Sequence, residues 1–459
     1  MSSRPNVVVC LCDQLRPFEV GCYGSEFVQT PYLDRMAENG VRFEIACTNN
    51  PVCTAARSAL LTGQYSRTCV GTSGNAREPV PERDRMLDST LAEVFQAAGY
   101  RIGLIGKWHI DPRPELLGFQ TVLYPNHQHR YTGQTYYGND RRETLVEGFS
   151  VDYELDELGR WISERRNEPF FLFHNISQPH MPVWDAPERF RDMYKPEEVP
   201  LRENVWLDGQ MAYDERWFTI YMYTMLYYQN RLDSHPERLP DGFDLRRLAA
   251  LYCGMVTWTD YQVGRLMAIL EEDGLADNTV VVFTSDHGDH LGSHHLFNKD
   301  SLYEEALRIP MLYHWPVELK PRAVDSQVTS LVDVMPTILS LAGLSAPPNV
   351  QGADLSAVLR GEAQTVGENV AFCESAQSQV GVRTLTHLYG FKKRPGRGPD
   401  PDVSFFDLTD DPMEMRNLAA SGRQSDLEAN LRERARRWDL HTPWLAATKP
   451  PWAHEQPAL

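Results

Sequence analysis

The chain of 459 residues has little that would mark a metal-stapled or disulfide-stapled fold. Its eight cysteines, at 10, 12, 22, 47, 53, 69, 253 and 373, include no CxxC pair, and no Cys/His spacing suggests zinc. Most therefore read as buried thiols acting as small apolar side chains. Basic charge is also short: 45 Lys and Arg stand against 63 Asp and Glu, a formal net charge of −18. That balance argues against nucleic acid or an anionic membrane as the main partner. No apolar run is long enough to span a bilayer. Met1 to Pro5 lead into a strand-like run and not into an apolar leader, so a cytoplasmic protein is expected.

What is present is ample for a large core, with 42% hydrophobic and 24% charged residues. Asn6 to Cys12 is a continuous apolar run, the pattern of a strand covered on both faces. Helical periodicity over Leu91 to Ala98 precedes a strand at Tyr100 to Ile105. A helix over Tyr153 to Arg166 precedes a strand at Phe170 to Ile176, and a helix over Tyr261 to Glu272 precedes a strand at Thr279 to Thr284. Repeated units of this kind predict an α/β fold with a largely parallel sheet flanked by helices. From about 365 the character changes to short strands and a charged helix near 425–438, which predicts a smaller C-terminal α+β subdomain. The expected division is a catalytic domain over 1–364 and a C-terminal subdomain and tail over 365–459. Residues 181–245, rich in aromatics and Pro, read as core, lid or oligomer insert, and the Pro-rich end after Pro450 as a loose or wrapping arm. The last two make a homo-oligomer plausible.

Ligands of parallel sheets lie at the carboxyl ends of the strands. Asp13 and Gln14 follow the first strand, Lys107 and His109 the second, His180 the third, and Asp286 and His287 the fourth. Four strands delivering ionisable groups to one edge imply a convergent site if the strands are neighbours. Cys53 begins a predicted helix that Gly63 ends. A helix N-terminus lowers a thiol's pKa and favours anions, and Arg57 lies one turn on. Taken alone, Cys53 reads as a buried helix-start cysteine, and each His as a hydrogen-bonding residue.

The segment from Cys53 to Gly63 resembles the sulfatase signature Cys-x-(Pro/Ala)-x-Arg-x-x-x-Leu-Thr-Gly, with Ala55 where Pro is usual. Asp13-Gln14, Gly106-Lys107-Trp108-His109, Pro179-His180-Met181-Pro182, Ser285-Asp286-His287-Gly288, Lys299 and Asp411-Pro412…Asn417-Leu418 look like that family's motifs in its order. The resemblance implies an alkaline-phosphatase-like fold and hydrolysis of a small anionic ester. It implies formylglycine made from Cys53 by a formylglycine-generating enzyme or its equivalent. It also implies one divalent cation, Mn²⁺ or Ca²⁺ with Mg²⁺ as a further choice, on Asp13, Gln14, position 53, Asp286 and His287. By the same resemblance Arg57, Lys107 and Lys299 neutralise charge, His180 protonates the leaving alcohol, His109 takes the proton that triggers sulfate release, and Asn75 contacts the sulfate. Gln14 and His287, where many sulfatases have Asp and Asn, look like the branch of choline sulfatases and phosphonate monoester or phosphodiester hydrolases. Lys107 and His109 point within it to sulfate esters, with the phosphonate or phosphodiester activity as the alternative. Trp108, Trp184 and Glu374 are the conceivable members of a cage for a quaternary ammonium. His290 and His295 read as surface or supporting residues.

Overall fold

A computed structural model describes residues 4–70, 89–110, 112–126, 129–206, 244–376, 378–396 and 400–445. Asn75, the aromatic run at 217–223 and the arm after Pro450 lie outside the described residues.

Eleven strands form one mixed sheet: β1 (Asn6–Asp13), β2 (Val41–Cys47), β3 (Arg101–Gly106), β4 (Thr121–Pro125), β5 (Thr132–Tyr137), β6 (Glu143–Phe149), β7 (Phe170–Pro179), β8 (Thr279–Ser285), β9 (Arg308–Ile309), β10 (Met311–His314) and β11 (Arg322–Ser330). The order is β11-β2-β10-β8-β1-β7-β3-β4-β5-β6, with β9 pairing β2. The four strands expected to feed the site are consecutive, β8-β1-β7-β3, and all run parallel. Antiparallel pairs are confined to the flanks, at β10, β9, β5 and β6.

Every residue of β1 is buried because its two faces serve two cores. Val8, Cys10 and Cys12 pack toward the helices Ser150–Glu164 and Leu245–Glu272. Val7, Val9 and Leu11 pack toward the helices Cys53–Thr62, Leu91–Ala97 and Leu331–Leu341. This period-two split of a continuous apolar run is what a doubly covered strand requires.

Two features depart from the sequence expectation. The helix expected from Tyr261 begins at Leu245, where Asp244 caps it by accepting from the Arg246 and Arg247 N–H groups. Residues 248–260 of that helix are buried all round, so they carry no one-sided stripe to read. The region 110–150, to which the sequence assigns no element, contains β4, with Val122 and Tyr124 buried, and then β5 and β6, which are polar, partly exposed strands at the sheet's edge.

A second, four-stranded antiparallel sheet contains β12 (Ala371–Glu374), β13 (Gln379–Arg383), β14 (His387–Lys392) and β15 (Val403–Asp407). The helix Ser425–His441 lies on it, burying Leu431, Ala435 and Trp438. Ala59 and Tyr65 of the first unit share that core, and Arg67 pairs with Glu374 and Asp439 across the junction.

Candidate active site

Asp13 is the last residue of β1, and Gln14 follows it in the left-handed region at φ 67°. Lys107 follows β3, where Gly106 at φ 100° lets the chain pass against β7; a Cβ there would meet the Asn175 carbonyl at 2.0 Å. His180 follows β7, and Asp286 and His287 follow β8. Cys53 is the first residue of the helix Cys53–Thr62, which Gly63 closes in the left-handed region. Lys299 arrives on a loop, between Asn298 and Asp300, both at positive φ.

The structure brings these residues together. Lys299 Nζ lies 2.9 Å from Cys53 Sγ, and His287 Nε2 lies 3.1 Å from it. Asp13 Oδ1 is 3.7 Å from the sulfur. Arg57, with its side chain fully buried, donates through Nε to Asp286 and through Nη2 to Asp13, each at 2.9 Å. Lys107 Nζ lies 2.5 Å from the same Asp13 carboxylate. Thr54 Oγ1, on the residue after Cys53, donates to the His109 carbonyl at 3.1 Å.

Burial raises the Cys53 thiol, but Lys299, Lys107 and His287 outweigh it and hold it well below the ordinary thiol range. Burial and Cys53 also push Asp13 up, and Lys107, His180 and Arg57 reverse this, leaving it well below the carboxylate range. Asp286 is pushed up to about 6 by burial and by Asp13 beside it. These two carboxyls titrate as a pair, and Asp13 is its ionised member.

Ring-nitrogen roles follow from the bonds opposite them. His287 Nδ1 lies 2.9 Å from the Gly288 carbonyl, so Nδ1 carries a proton, and Nε2, which faces the carboxylates and the thiolate, is the nitrogen whose lone pair a cation would take in place of its proton. Gln14 donates its Nε2 to Asp289, which turns Oε1 into the site, 3.3 Å from Lys299 Nζ. The donor atoms of Asp13, Cys53, Asp286 and His287 all lie within 4.8 Å of one another. Two carboxylates, an imidazole lone pair and an inward amide oxygen are a donor set that fits a divalent cation.

His180 Nδ1 lies 2.9 Å from the Met181 carbonyl, leaving Nε2 as an acceptor 3.4 Å from Lys299 Nζ. Burial, together with Lys107 and Lys299, lowers it to about 4 against the pull of Asp13. Burial likewise lowers His109, whose Nδ1 has no hydrogen-bond partner among the described residues.

One residue of this edge escaped the sequence reading. His129 stacks on His180 with ring centroids 4.1 Å apart and meets His109 edge-on at 6.1 Å. It follows β4, the neighbour of β3, so asking what comes after each strand would have found it had β4 been recognised. The conceivable ammonium cage does not assemble. Glu374 is committed to Arg67 at 2.6 Å, and Trp108 packs on Phe119 with its Nε1–H on the Pro112 carbonyl. His290 is buried against Ser301, and His295 stacks on Trp206.

Sheet, strand-edge cluster and helix-start thiol place the chain among the alkaline-phosphatase-like hydrolases. Within them it belongs to the sulfatase family, whose profile matches residues 5–344, and it is a sulfuric ester hydrolase. A second profile, that of the C-terminal part of N-sulphoglucosamine sulphohydrolase, matches residues 292–440. The arylsulfatase of Clostridium perfringens is 30% identical over 91% of this chain and 91% of its own length. The choline-sulfatase of Rhizobium meliloti is 27% identical over 96% and 88%. A structure solved with its substrate D-glucosamine-2-N,6-O-disulfate superposes with a TM-score of 0.82 at 23% identity, covering 99% of this chain and 100% of that one. The phosphonate monoester hydrolase of Agrobacterium radiobacter superposes at 0.71 and 21% identity, covering 96% of each. Among the described residues, no helix is long and apolar enough to cross a membrane.

Proposed function

We propose that the chain hydrolyses a small sulfate monoester through formylglycine made from Cys53, with one divalent cation held by Asp13, Asp286, His287, Gln14 and position 53. The observation that carries this reading is the convergence of Lys299, His287 and Asp13 on the Cys53 sulfur from separate strand ends and loops. When bound, Mn²⁺, Ca²⁺ or Mg²⁺ supplies positive charge for a nucleophilic hydroxyl and one ester oxygen. Formylglycine supplies a hydrated aldehyde, one hydroxyl for attack on sulfur and a second whose proton loss expels sulfate, a route a thiol lacks.

The rest falls to the chain's own side chains. Arg57 fixes both carboxylates, so their oxygens are set before any cation binds. Lys107 and Lys299 carry the charge that meets the anionic ester. Lys299 also donates toward His180 Nε2, which makes the pair the proton source for the leaving alcohol. His109, neutral and with a free Nδ1, is suited to accept the proton of the second hydroxyl. His129 holds the plane of His180 by stacking. Asn75 is the proposed sulfate contact. The catalytic unit is taken as 1–364, and recognition of the alcohol falls to 181–245, the strands β4 to β6 and the unit at 365–459.

The test is a panel of esters on cation-loaded protein whose position 53 has been checked by peptide mass spectrometry. p-Nitrophenyl sulfate should turn over faster than p-nitrophenyl phenylphosphonate and than a phosphodiester. The reverse order would assign the phosphonate or phosphodiester activity. An unmodified thiol at position 53 in active protein from the native host would overturn the formylglycine route.

A further inference from the structure

Away from the catalytic cluster, a second set of ligand-type atoms comes together where the two units of the chain meet. His294 Nε2 and carboxylate oxygens of Glu305 and Glu414 all lie within 4.8 Å of one another. Glu305 is fully buried and Glu414 is 3% exposed. His294 and Glu305 flank the loop that carries Lys299, while Glu414 belongs to the segment after β15.

The cations around the cluster are unevenly shared, with Glu304 taking two, Arg383 and, at 3.9 Å, Arg308. Glu304 pairs with Arg383 at 2.8 Å, and Glu305 Oε1 pairs with Arg202 at 2.9 Å. Glu414 Oε2 accepts the Glu304 N–H at 2.8 Å, but among the described residues no cation pairs with Glu414. One oxygen of each of the other two, Glu305 Oε2 and Glu414 Oε1, has no hydrogen-bond partner among the described residues, and Glu305 Oε2 lies 3.7 Å from His294 Nε2. A third, independent group is Asn204, which is fully buried. Its Nδ2 lies 3.1 Å from His294 Nε2 and 2.8 Å from Glu305 Oε1, while its Oδ1 has no partner among the described residues. The His294 ring is held in place by stacking on Tyr303, with centroids 3.8 Å apart. Orphaned buried oxygens this close together are costly unless something positive sits between them.

We propose a second divalent-cation site formed by His294, Glu305 and Glu414, with Asn204 beside it, that ties the Lys299 loop to the C-terminal unit. One imidazole nitrogen with two carboxylates suits Zn²⁺ or Mn²⁺ better than Ca²⁺ or Mg²⁺, which prefer oxygen alone. Binding displaces whatever proton the Glu305 and Glu414 carboxyls share. The site is independent of the reading given to Cys53.

The test is metal content by plasma mass spectrometry on the full chain, loaded with Zn²⁺ or Mn²⁺ and then desalted. Wild type should hold two equivalents, Glu414→Gln one and Asp286→Asn one. Glutamine keeps the acceptor for the Glu304 N–H, and His294→Gln provides a second variant should the first fail to fold. A further readout is the melting temperature of Asp286→Asn protein, which Zn²⁺ should raise and which Zn²⁺ should leave unmoved once Glu414→Gln is added. A single equivalent in wild type, lost in Asp286→Asn and kept in Glu414→Gln, would overturn the proposal and leave a shared proton between the two carboxyls. Two equivalents in both wild type and Glu414→Gln would overturn it as well.

Discussion

The Lys299 ammonium stands 2.9 Å from the Cys53 sulfur, closer than any carboxylate reaches it. Together with Lys107 and His287 it offsets the cost of burying a thiolate. In protein made without a maturation enzyme, the thiolate should therefore persist as pH falls. Its far-ultraviolet absorbance should stay constant between about pH 5 and 8, where an ordinary thiol is largely protonated and shows little of it. Cys10, Cys12, Cys47, Cys253 and Cys373 are pushed upward by burial and stay silent in that window. Lys299→Met should shift the transition up into the window. In mature protein the same change should lower kcat by roughly 10²–10³, the usual loss when a group facing developing charge is removed.

Arg57 is wholly buried between Asp13 and Asp286. Its removal takes the arginine from Asp286 and leaves Asp13 with Lys107 alone. Breaking a buried pair in this way typically costs about 3–5 kcal/mol. Arg57→Ala should lower the melting temperature of apo protein sharply, and added Mn²⁺ or Ca²⁺ should restore part of the loss. Arg57→Lys should fall between, since an ammonium cannot present two N–H groups to two carboxylates at once. An Arg57→Ala protein as stable as wild type without cation would contradict this account.

Much of the site was legible because it is local. Asp13, Lys107, His180 and Asp286 each follow an apolar run that can only be a doubly covered strand, and parallel sheets place ligands at that edge. Cys53 and Arg57 were readable as one turn of a helix with a glycine stop. What could not be read was contact across the chain. Nothing in the spacing says that Lys299 reaches the sulfur from a loop, or that Gln14 turns its amide oxygen inward because Asp289 takes its nitrogen. His129 was hidden for a different reason. The strand before it is short and borders polar, partly exposed strands, so hydrophobic patterning did not mark it. The helix start at Leu245 was hidden by burial on every side, which erases the periodicity that reveals a helix.

Glu154 provides a stability prediction separate from catalysis. It lies buried in the helix Ser150–Glu164 with the Tyr136 hydroxyl as hydrogen-bond donor, and burial pushes it up to about 7 from 4.5. A carboxyl raised on folding is fully compatible with the fold below its unfolded pKa and becomes a cost as pH rises through the folded one. At 1.36 kcal/mol per pKa unit, the cost above pH 7 is on the order of 3 kcal/mol. Glu154→Gln keeps an acceptor for Tyr136 but cannot ionise. It should flatten the fall in urea midpoint between about pH 5 and 8 and make the variant the more stable protein at the alkaline end. A variant that tracks wild type across this range would show that Glu154 ionises freely in the fold.

His180 and His109 lie on the same edge but are assigned opposite proton transfers, and leaving-group chemistry separates them. Lys299 holds its proton toward His180 Nε2, and His129 stacks on that ring, so the Lys299–His180 pair is placed to deliver a proton to the departing oxygen. That help matters little for a good leaving group and greatly for an alkoxide. His180→Ala should therefore slow an alkyl sulfate by roughly 10²–10⁴ while affecting p-nitrophenyl sulfate far less. In the proposed reaction His109 acts after the alcohol has gone. His109→Ala should reduce steady-state turnover of both esters to a common low rate, and rapid mixing with p-nitrophenyl sulfate should release one equivalent of nitrophenolate before that rate sets in. Equal losses for both esters in His180→Ala, or the absence of a burst in His109→Ala, would exchange or remove these roles. His129→Ala, which removes only the stack, should reproduce the His180→Ala pattern in weaker form, with the larger effect again on the alkyl ester.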